Sequence, residues 1–339
     1  MQFTNPVKDQ IRPWYMDETR TTEKLKTIDV DIRKYVAQVV EDGYTVIPKS
    51  ISKEMCEETI DAFRRWEAAN PDVFSPHVDA DGHYPRIGNL HSAIPELFHL
   101  FSKNPLTYRV QEALFGARPS LYTSLFYERG SAQDIHRDTP VFSTKPEHFY
   151  LGVWVALEDS DEGNGALNVC PGGHQLPELD REGIAIKRFG SLDAIPPTSN
   201  AIWVDYQNAV KAQCAAAGIK PKAVYVNAGD TIIWHPQLPH GGGPIADLTR
   251  TRFSLVMHTK PVGVPVYHQD KFFNPTAEAL MDSQWWYEEI DGHVRVIQPK
   301  FSFDHKDYFE AASLKQPAPI TMKPSKPVRA GFLHRLLGR

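Results

Sequence analysis

The sequence predicts an all-β core, arranged as a barrel-like sandwich, with helices from the front of the chain packed outside it. Short runs rich in β-branched and aromatic residues recur through the middle and C-terminal parts of the chain, and each is bounded by Gly, Pro, Asp or Asn. Long connections separate many of these runs, which is typical of sandwiches and barrels. The predicted strands are Leu121–Tyr127, Tyr150–Leu157, Gly165–Val169, Val224–Val226, Thr231–Trp234 and Arg252–Thr259.

Helical patterns dominate the first part of the chain. Residues 1–28 are polar and charged, and we expect them to form a loosely packed arm. Val30–Val40 has the apolar spacing of a helix and leads into Gly43–Pro48, an apolar run that predicts a short buried strand ending at proline. Ser52 predicts the start of a second helix, and residues 93–115 predict one or two more. The helical layer therefore precedes the β-core in the sequence.

One main domain, residues 29–312, is expected between two terminal segments. Within it, Asp205–Ala217 predicts a helical insertion between strands. Residues 313–339 turn rich in Pro and Lys and end in a short basic amphipathic stretch, Gly331–Arg339, which predicts a linker and a tail. We expect this tail to be frayed, and the alternative is contact with a membrane surface or a partner protein.

Composition and charge exclude several classes of protein. An apolar fraction of 41% in 339 residues is enough for a sizeable core, which argues against disorder. The net charge of −5 argues against nucleic acid as a main partner. Cys56, Cys170 and Cys214 are widely spaced, as expected for reduced thiols and not for a disulfide framework. No signal peptide or long apolar run is visible, so we expect a cytoplasmic protein with no transmembrane segment, and the oligomeric state stays open.

Side chains suited to a metal ion occur at two places far apart in the sequence. His136 and Asp138 form a His-x-Asp pair, and residues two apart on an extended strand share one face. A further histidine beside them completes a facial triad, which leaves three coordination positions open and is typical of non-haem Fe(II) oxygenases. His235 and His240 both qualify, because the first ends an apolar run and the second precedes three glycines that permit a tight turn.

Two arginines near the last predicted strand are suited to an anionic co-substrate. A dicarboxylate needs a cation for its distal carboxylate, and the planar guanidinium of arginine binds a carboxylate bidentately. Arg250 and Arg252 have the same parity in the sequence, so spacing alone does not choose between them.

Eight blocks of sequence occur in a characteristic order between roughly Tyr35 and Pro261. In this order they resemble the phytanoyl-CoA dioxygenase family of Fe(II)/2-oxoglutarate oxygenases. The resemblance implies a double-stranded β-helix, that is, a jelly-roll or cupin-like barrel flanked by N-terminal helices. The blocks are Glu41–Pro48, Gly130–Asp138, Val153–Asp159, Gly163–Leu167, Pro171–His174, Gly229–His235, His240–Pro244 and Thr251–His258.

The resemblance also implies roles for individual residues. It makes His136, Asp138 and His240 the ligands of Fe(II), and it makes His235 a non-ligating neighbour. Arg252 matches the arginine that binds the carboxylate of 2-oxoglutarate, although the step from the last histidine is slightly longer than expected.

Two aromatic residues match contacts of the co-substrate in this family. Trp154 matches an aromatic side chain that lines the 2-oxoglutarate pocket, and its alternative role is that of an ordinary core tryptophan. Tyr127 lies where the family often has a polar contact for the co-substrate.

Four polar residues are candidates for contact with the substrate: Arg86, Asn89, Gln133 and His174. Family resemblance suggests that loops such as those that carry them roof the substrate pocket, and the alternative is a role in helix caps and surface loops. The family's usual Pro-Gly-Ser-His reads Pro-Gly-Gly-His at 171–174, which removes one hydroxyl group.

The implied activity is hydroxylation of a C–H bond of a small molecule, with O2 consumed and 2-oxoglutarate converted to succinate and CO2. Asp138 favours hydroxylation over halogenation, because relatives that halogenate have a small residue at this position. Three alternatives stay open: desaturation or epimerisation at the same iron, a non-catalytic metal- or ligand-binding protein, and a divalent metal other than iron.

Overall fold

The structure, a computed structural model, describes residues 1–318. The predicted tail, 313–339, lies mostly outside this range, and its amphipathic stretch Gly331–Arg339 lies entirely outside it. The α-helices of the described residues are α1 (Glu18–Thr27), α2 (Val30–Asp42), α3 (Lys53–Ala69), α4 (Pro71–Phe74), α5 (Pro95–Ser102), α6 (Pro105–Phe115), α7 (Arg181–Phe189), α8 (Asn200–Ala216) and α9 (Gln269–Phe273). The strands are β1 (Tyr44–Ile47), β2 (Ile87–Gly88), β3 (Pro119–Tyr127), β4 (Ser143–Thr144), β5 (Leu151–Ala156), β6 (Leu167–Val169), β7 (Lys222–Val224), β8 (Thr231–Trp234), β9 (His240–Gly242), β10 (Ser254–Pro261), β11 (Val266–Tyr267), β12 (Tyr287–Ile290), β13 (His293–Val296), β14 (Lys300–Phe303) and β15 (Asp307–Glu310).

Two facing sheets form the β-core. The large sheet has the strand order β1-β8-β5-β10-β3-β2-β14-β15, and the β12–β13 hairpin joins it through β3. A smaller sheet has the order β7-β6-β9, and all its pairs are antiparallel. Trp154 and Ile232 of the large sheet pack in one cluster with Leu167 and Val224 of the small sheet. The predicted all-β core is therefore confirmed.

The helices of the first part of the chain cover the outer face of the large sheet. On β5, Val153 and Val155 belong to the core shared with helices α2, α3, α5 and α6, whereas Trp154 points between the sheets, because successive side chains of a strand alternate. The predicted helix at Ser52 is present, and the Ser52 hydroxyl caps α3 by accepting from the amide of Met55 at 3.2 Å. Among the described residues, no helix is both long and apolar enough to cross a membrane.

The structure extends the predicted elements at three places. The insertion is larger than 205–217, because both α7 and α8 lie in the connection between β6 and β7. Strand β9 is His-Gly-Gly, and glycine has little intrinsic preference for strands, so only pairing with β6 reveals it. Strands β12 to β15 at the C-terminal end of the core were also not predicted.

The N-terminal segment corrects the expectation of a loosely packed arm. Val7, Trp14 and Tyr15 are buried in the main core, and the indole Nε1 of Trp14 donates to the carbonyl of Ala113 at 3.0 Å. The expectation came from the average polarity of residues 1–28. A few large apolar side chains are enough to anchor a segment, whatever the average of its neighbours.

Substitution of Trp14 should therefore destabilise the whole protein. We expect Trp14→Ala to lower the free energy of unfolding by about 3 kcal/mol or more, because it removes a buried aromatic side chain and leaves a cavity. Ile11→Ala is the matched control, since Ile11 lies in the same segment and is 85% exposed. Urea unfolding of the two variants measures the difference, and an equally small loss for both would mean that the segment does not belong to the core.

Candidate metal centre and anion site

Backbone pairing brings the two halves of the metal motif together. His136 lies in the connection between β3 and β4, and it forms an isolated antiparallel bridge with His240, the first residue of β9. The amide of His136 donates to the carbonyl of His240 at 2.8 Å, and the reverse bond is 2.9 Å long. Since β9 pairs with β6, this bridge attaches the His-x-Asp segment to the small sheet.

The side chains of His136, Asp138 and His240 converge in the interior. One nitrogen or oxygen of each lies within 4.8 Å of the others, and all three residues are buried. The Nδ1 atoms of the two histidines lie 2.8 Å from the carbonyl of Asp134 and 3.0 Å from that of Leu238. If each Nδ1–H donates to its carbonyl, the Nε2 lone pairs face the centre as metal ligands.

Two further side chains hold one oxygen of Asp138. Trp234 Nε1 donates to Oδ2 at 3.3 Å, and His258 Nε2 lies 3.2 Å from the same oxygen. The other oxygen, Oδ1, lies 3.4 Å from Nε2 of His136. Burial alone would raise the pKa of Asp138, but attraction to His240 in its protonated form and contacts with the rings of His136 and His258 hold it well below its usual value. The carboxylate is therefore ionised, as metal binding requires.

His240 is a neutral imidazole in this environment. Burial lowers its pKa to about 4, although the nearby carboxylate of Asp138 opposes this effect. A neutral imidazole with a free nitrogen lone pair is the form of histidine that binds a metal.

His235, the competing histidine, faces away from the centre. It follows Trp234 directly, and adjacent residues of a strand point to opposite faces. Its Nδ1 accepts a hydrogen bond from the amide of Gln237 at 3.0 Å, and its ring packs against those of Tyr15 and His174. The structure therefore brings His240, and not His235, to the pair at 136 and 138.

Arg252 is a buried cation without an acidic partner among residues 1–318. Its Nη1 donates to the carbonyl of Gly165, and its guanidinium lies 5.3 Å from the centre of the Trp154 ring. Its Nε has no hydrogen-bond partner, and burial lowers the pKa of the side chain to about 10, so it stays charged at neutral pH. A buried unpaired charge is strongly unfavourable, so this environment is suited to an anion.

Arg250 occupies a different environment. It lies after a turn at the surface, where its two terminal nitrogens bind the carboxylate of Asp161 at 2.8 and 2.9 Å. Residues two apart share a face only within a strand, and β10 begins only at Ser254, so the spacing of the two arginines does not place them on one face. Tertiary structure thus separates two residues that the sequence alone did not.

Some of the predicted substrate residues share a cavity. A cavity of about 480 Å³ is lined by Arg86, Tyr127 and Gln133, together with Asp304, which binds Arg86 Nε at 3.1 Å. Burial raises the pKa of the Tyr127 hydroxyl, and the nearby charges of Arg86 and Arg252 oppose this effect. The cavity therefore borders Tyr127, whereas Arg252 and the three residues of the metal triad are not part of its lining.

The other two predicted substrate residues lie elsewhere. Asn89 uses its side-chain oxygen to accept from the hydroxyl of Thr123 and the amide of Ser124, at 2.6 and 3.2 Å, which fixes the turn after β2. The Nε2 of His174 lies 2.9 Å from the carbonyl of Val40. Neither residue lines the cavity that contains Arg86.

His258 and Trp234 were not assigned from the sequence. Alternation along β10 could have indicated His258, because Leu255 and Met257 pack in the outer core, so that Val256 and His258 must face inward. Nothing in the sequence pairs Trp234 with Asp138, since their contact depends on how the sheets meet.

Comparison with known proteins identifies relatives of part of the chain. The family profile described as phytanoyl-CoA dioxygenase (PhyH) matches residues 39–251. The peroxisomal phytanoyl-CoA dioxygenase of Rattus norvegicus is 26% identical over 121 residues, which are 34% of this chain and 30% of that protein. The phytanoyl-CoA dioxygenase domain-containing protein 1 of Danio rerio is 31% identical over 93 residues, 26% of this chain and 32% of that protein. The chain thus matches about a third of the length of these curated relatives.

Solved structures share the fold over a larger part of the chain. The epimerase SnoN in complex with Fe3+, alpha ketoglutarate and nogalamycin RO has a TM-score of 0.54 and 18% identity, covering 78% of this chain and 98% of that one. EctD from S. alaskensis with 2-oxoglutarate and 5-hydroxyectoine has a TM-score of 0.50 and 16% identity, covering 69% and 77%. The predicted cupin-like, double-stranded β-helix fold is confirmed.

The two competing histidines should differ sharply in metal binding. We expect His240→Asn to weaken Co(II) binding by about 100-fold or more. Loss of a side chain that only hydrogen-bonds a metal ligand already lowers metal affinity by about 10–100-fold, and His240 is a ligand itself. His235→Asn is the matched control, since the asparagine oxygen can replace Nδ1 as acceptor for the amide of Gln237. Anaerobic titration with Co(II) measures both dissociation constants. Loss of binding in the His235 variant with retention in the His240 variant would contradict the geometry.

Proposed function

Because the chain belongs to the phytanoyl-CoA dioxygenase family, we propose that it is an Fe(II)- and 2-oxoglutarate-dependent dioxygenase that hydroxylates a C–H bond of a small molecule. The observation that carries the proposal is the convergence of His136, Asp138 and His240 within 4.8 Å. Two imidazoles and one carboxylate fit one face of an octahedral Fe(II) site, and they leave three positions for co-substrate and O2.

The buried arginine supports 2-oxoglutarate as the co-substrate. Arg252 carries a positive charge in the interior, and no acidic side chain among the described residues neutralises it. The distal carboxylate of 2-oxoglutarate supplies the missing negative charge and can accept from two guanidinium nitrogens. Trp154 forms one wall of the proposed co-substrate pocket, since its ring lies beside the guanidinium, and Tyr127 lies near the same arginine.

In this proposal the chain's own residues position the reactants and exclude water. When bound, Fe(II) with 2-oxoglutarate supplies the activation of O2 that oxidises the substrate, with succinate and CO2 as products. Trp234 and His258 hold Oδ2 of Asp138, which fixes the carboxylate beside the Nε2 atoms of His136 and His240 that would bind the metal. Phe142 stacks on His258 at 3.9 Å between ring centres and limits access of water to this side.

The substrate is proposed to enter through the cavity that contains Arg86, Tyr127 and Gln133. The walls carry both charges, because Arg86 and Asp304 form an ion pair in the cavity lining. A lining of this kind favours a small molecule with several polar groups over a purely hydrocarbon one.

A second reaction is compatible with the same iron site. One protein of similar fold, SnoN, is described as an epimerase, so epimerisation is the second candidate reaction. Both reactions need the same metal ligands and co-substrate. A non-catalytic binding protein is disfavoured, because such a protein has no physical need for an unpaired buried arginine beside a buried triad.

The proposal is tested by forming the ternary complex without O2. Anaerobic addition of Fe(II) and 2-oxoglutarate should produce a weak visible charge-transfer band, because the co-substrate chelates a metal with open positions. His136→Asn should lose the band and the succinate released in air, since one of three protein ligands is gone. Succinate release in the presence of candidate substrates then identifies the substrate. Analysis of the oxidised product distinguishes hydroxylation from epimerisation. Wild-type protein that gives neither band nor succinate would contradict the proposal.

Arg252 and Arg250 provide a matched pair for the co-substrate. We expect Arg252→Gln to raise the KM for 2-oxoglutarate by about 100-fold, because two charge-assisted hydrogen bonds to its carboxylate are lost. Arg250→Gln removes only a surface ion pair, so its KM should stay within about twofold of wild type. Succinate release at varied 2-oxoglutarate measures both. Equal increases in the two variants would exclude Arg252 as the specific contact.

A further inference from the structure

The helical insertion packs directly behind the proposed metal ligands. On α8, Trp203, Tyr206, Gln207 and Val210 follow helical spacing along the face that points into the protein. The ring of Trp203 lies 5.9 Å from that of His136. The insertion is therefore in contact with the proposed metal site.

Gln207 binds both peptide groups of the residue between two ligands. Its Oε1 accepts from the amide of Arg137 at 2.9 Å, and its Nε2 donates to the carbonyl of Arg137 at 2.9 Å. Both bonds are buried, and the two residues are 70 positions apart in the sequence. A single side chain thus takes the part that a neighbouring strand normally plays in a sheet.

The segment from His136 to Asp138 is consequently held from two sides. The backbone bridge to His240 fixes His136, and Gln207 fixes Arg137. The side chain of Arg137 is buried on the side of the insertion, where Nη2 donates to the carbonyl of Gly173 at 2.9 Å. Its charge also lies close to Tyr206 of α8. No regular strand contains this segment, so these contacts replace the support that a ladder would provide.

We propose that Gln207 is a positioning residue for the metal centre, which fixes the backbone of the ligand segment before the metal binds. The inference rests on the proposed function, because it assigns a role towards the same Fe(II) site. A metal site requires its ligands within about 0.5 Å of the productive geometry, and a connecting segment reaches this only when other groups restrain it. The insertion between β6 and β7 thereby acquires a role in the chemistry of the site.

Gln207→Met tests this role, because methionine keeps the volume and removes both hydrogen bonds. We expect the dissociation constant for Co(II) to rise by about tenfold, as is typical when indirect support of a ligand is lost. The visible absorption of bound Co(II) should also change, since it reports the arrangement of ligands. A purely structural role would lower the melting temperature and leave both the affinity and the spectrum as in wild type.

Gln213→Met is the matched control. Gln213 lies on the same helix and donates to the carbonyl of Pro177 at 2.7 Å, at the surface and away from the site. Its Co(II) affinity and spectrum should equal those of wild type. Equal affinities and spectra for wild type and Gln207→Met would overturn only the inference about Gln207. A wild-type protein that binds no Co(II) would instead overturn the proposed function.

Hydrogen exchange of the wild-type protein gives an independent test, which does not depend on whether the variant folds. The amide of Arg137 should be protected in the metal-free protein as well as in the Co(II) complex, because its acceptor is Gln207. Rapid exchange without metal, followed by protection on addition of Co(II), would overturn the inference, since the metal and not the helix would then order the segment.

Discussion

The two hydrogen bonds between the backbones of His136 and His240 are the constraint on which the rest of the site depends. They join the connection after β3 to the first residue of β9, and so they set which side chains meet. A shift of one residue in this register would turn one histidine away from the other, because the side chains of an extended chain alternate. The glycines after His240 let the two segments approach closely, because a Cβ atom on Gly241 would lie only 2.6 Å from the carbonyl oxygen of Gln133.

Around this bridge the protein concentrates charge in its interior. Asp138 is negative and Arg252 is positive, yet they do not pair with each other among the described residues. Hydrogen bonds from Trp234 and His258 satisfy part of the carboxylate, while the arginine keeps an unpaired nitrogen. Such an arrangement is unfavourable for the empty protein, and binding of a cation and an anion relieves it. The site thus lowers the stability of the folded protein and favours the binding of two ligands of opposite charge.

The remainder of the fold provides rigid support for these few residues. The N-terminal helices cover the outer face of the large sheet, and even the first residues of the chain are part of that core through Trp14. The insertion covers the ligand segment on the other side through Gln207. Precision at the centre therefore comes from elements distant in sequence, of which β9 and α8 contact the short ligand segment directly.

Elements whose pattern is local could be predicted from the amino-acid sequence. The period of the helices, the alternation of the main strands and the His-x-Asp pair all follow from neighbouring residues, and the ordered blocks identified the family and a single best set of metal ligands. Without the family resemblance, the sequence did not separate His235 from His240, or Arg250 from Arg252. The roles of Gln207, Trp234 and His258 came only from the tertiary structure. Their partners lie between 70 and 120 positions away, and which side chains meet at such separations is decided by how the sheets and the insertion pack.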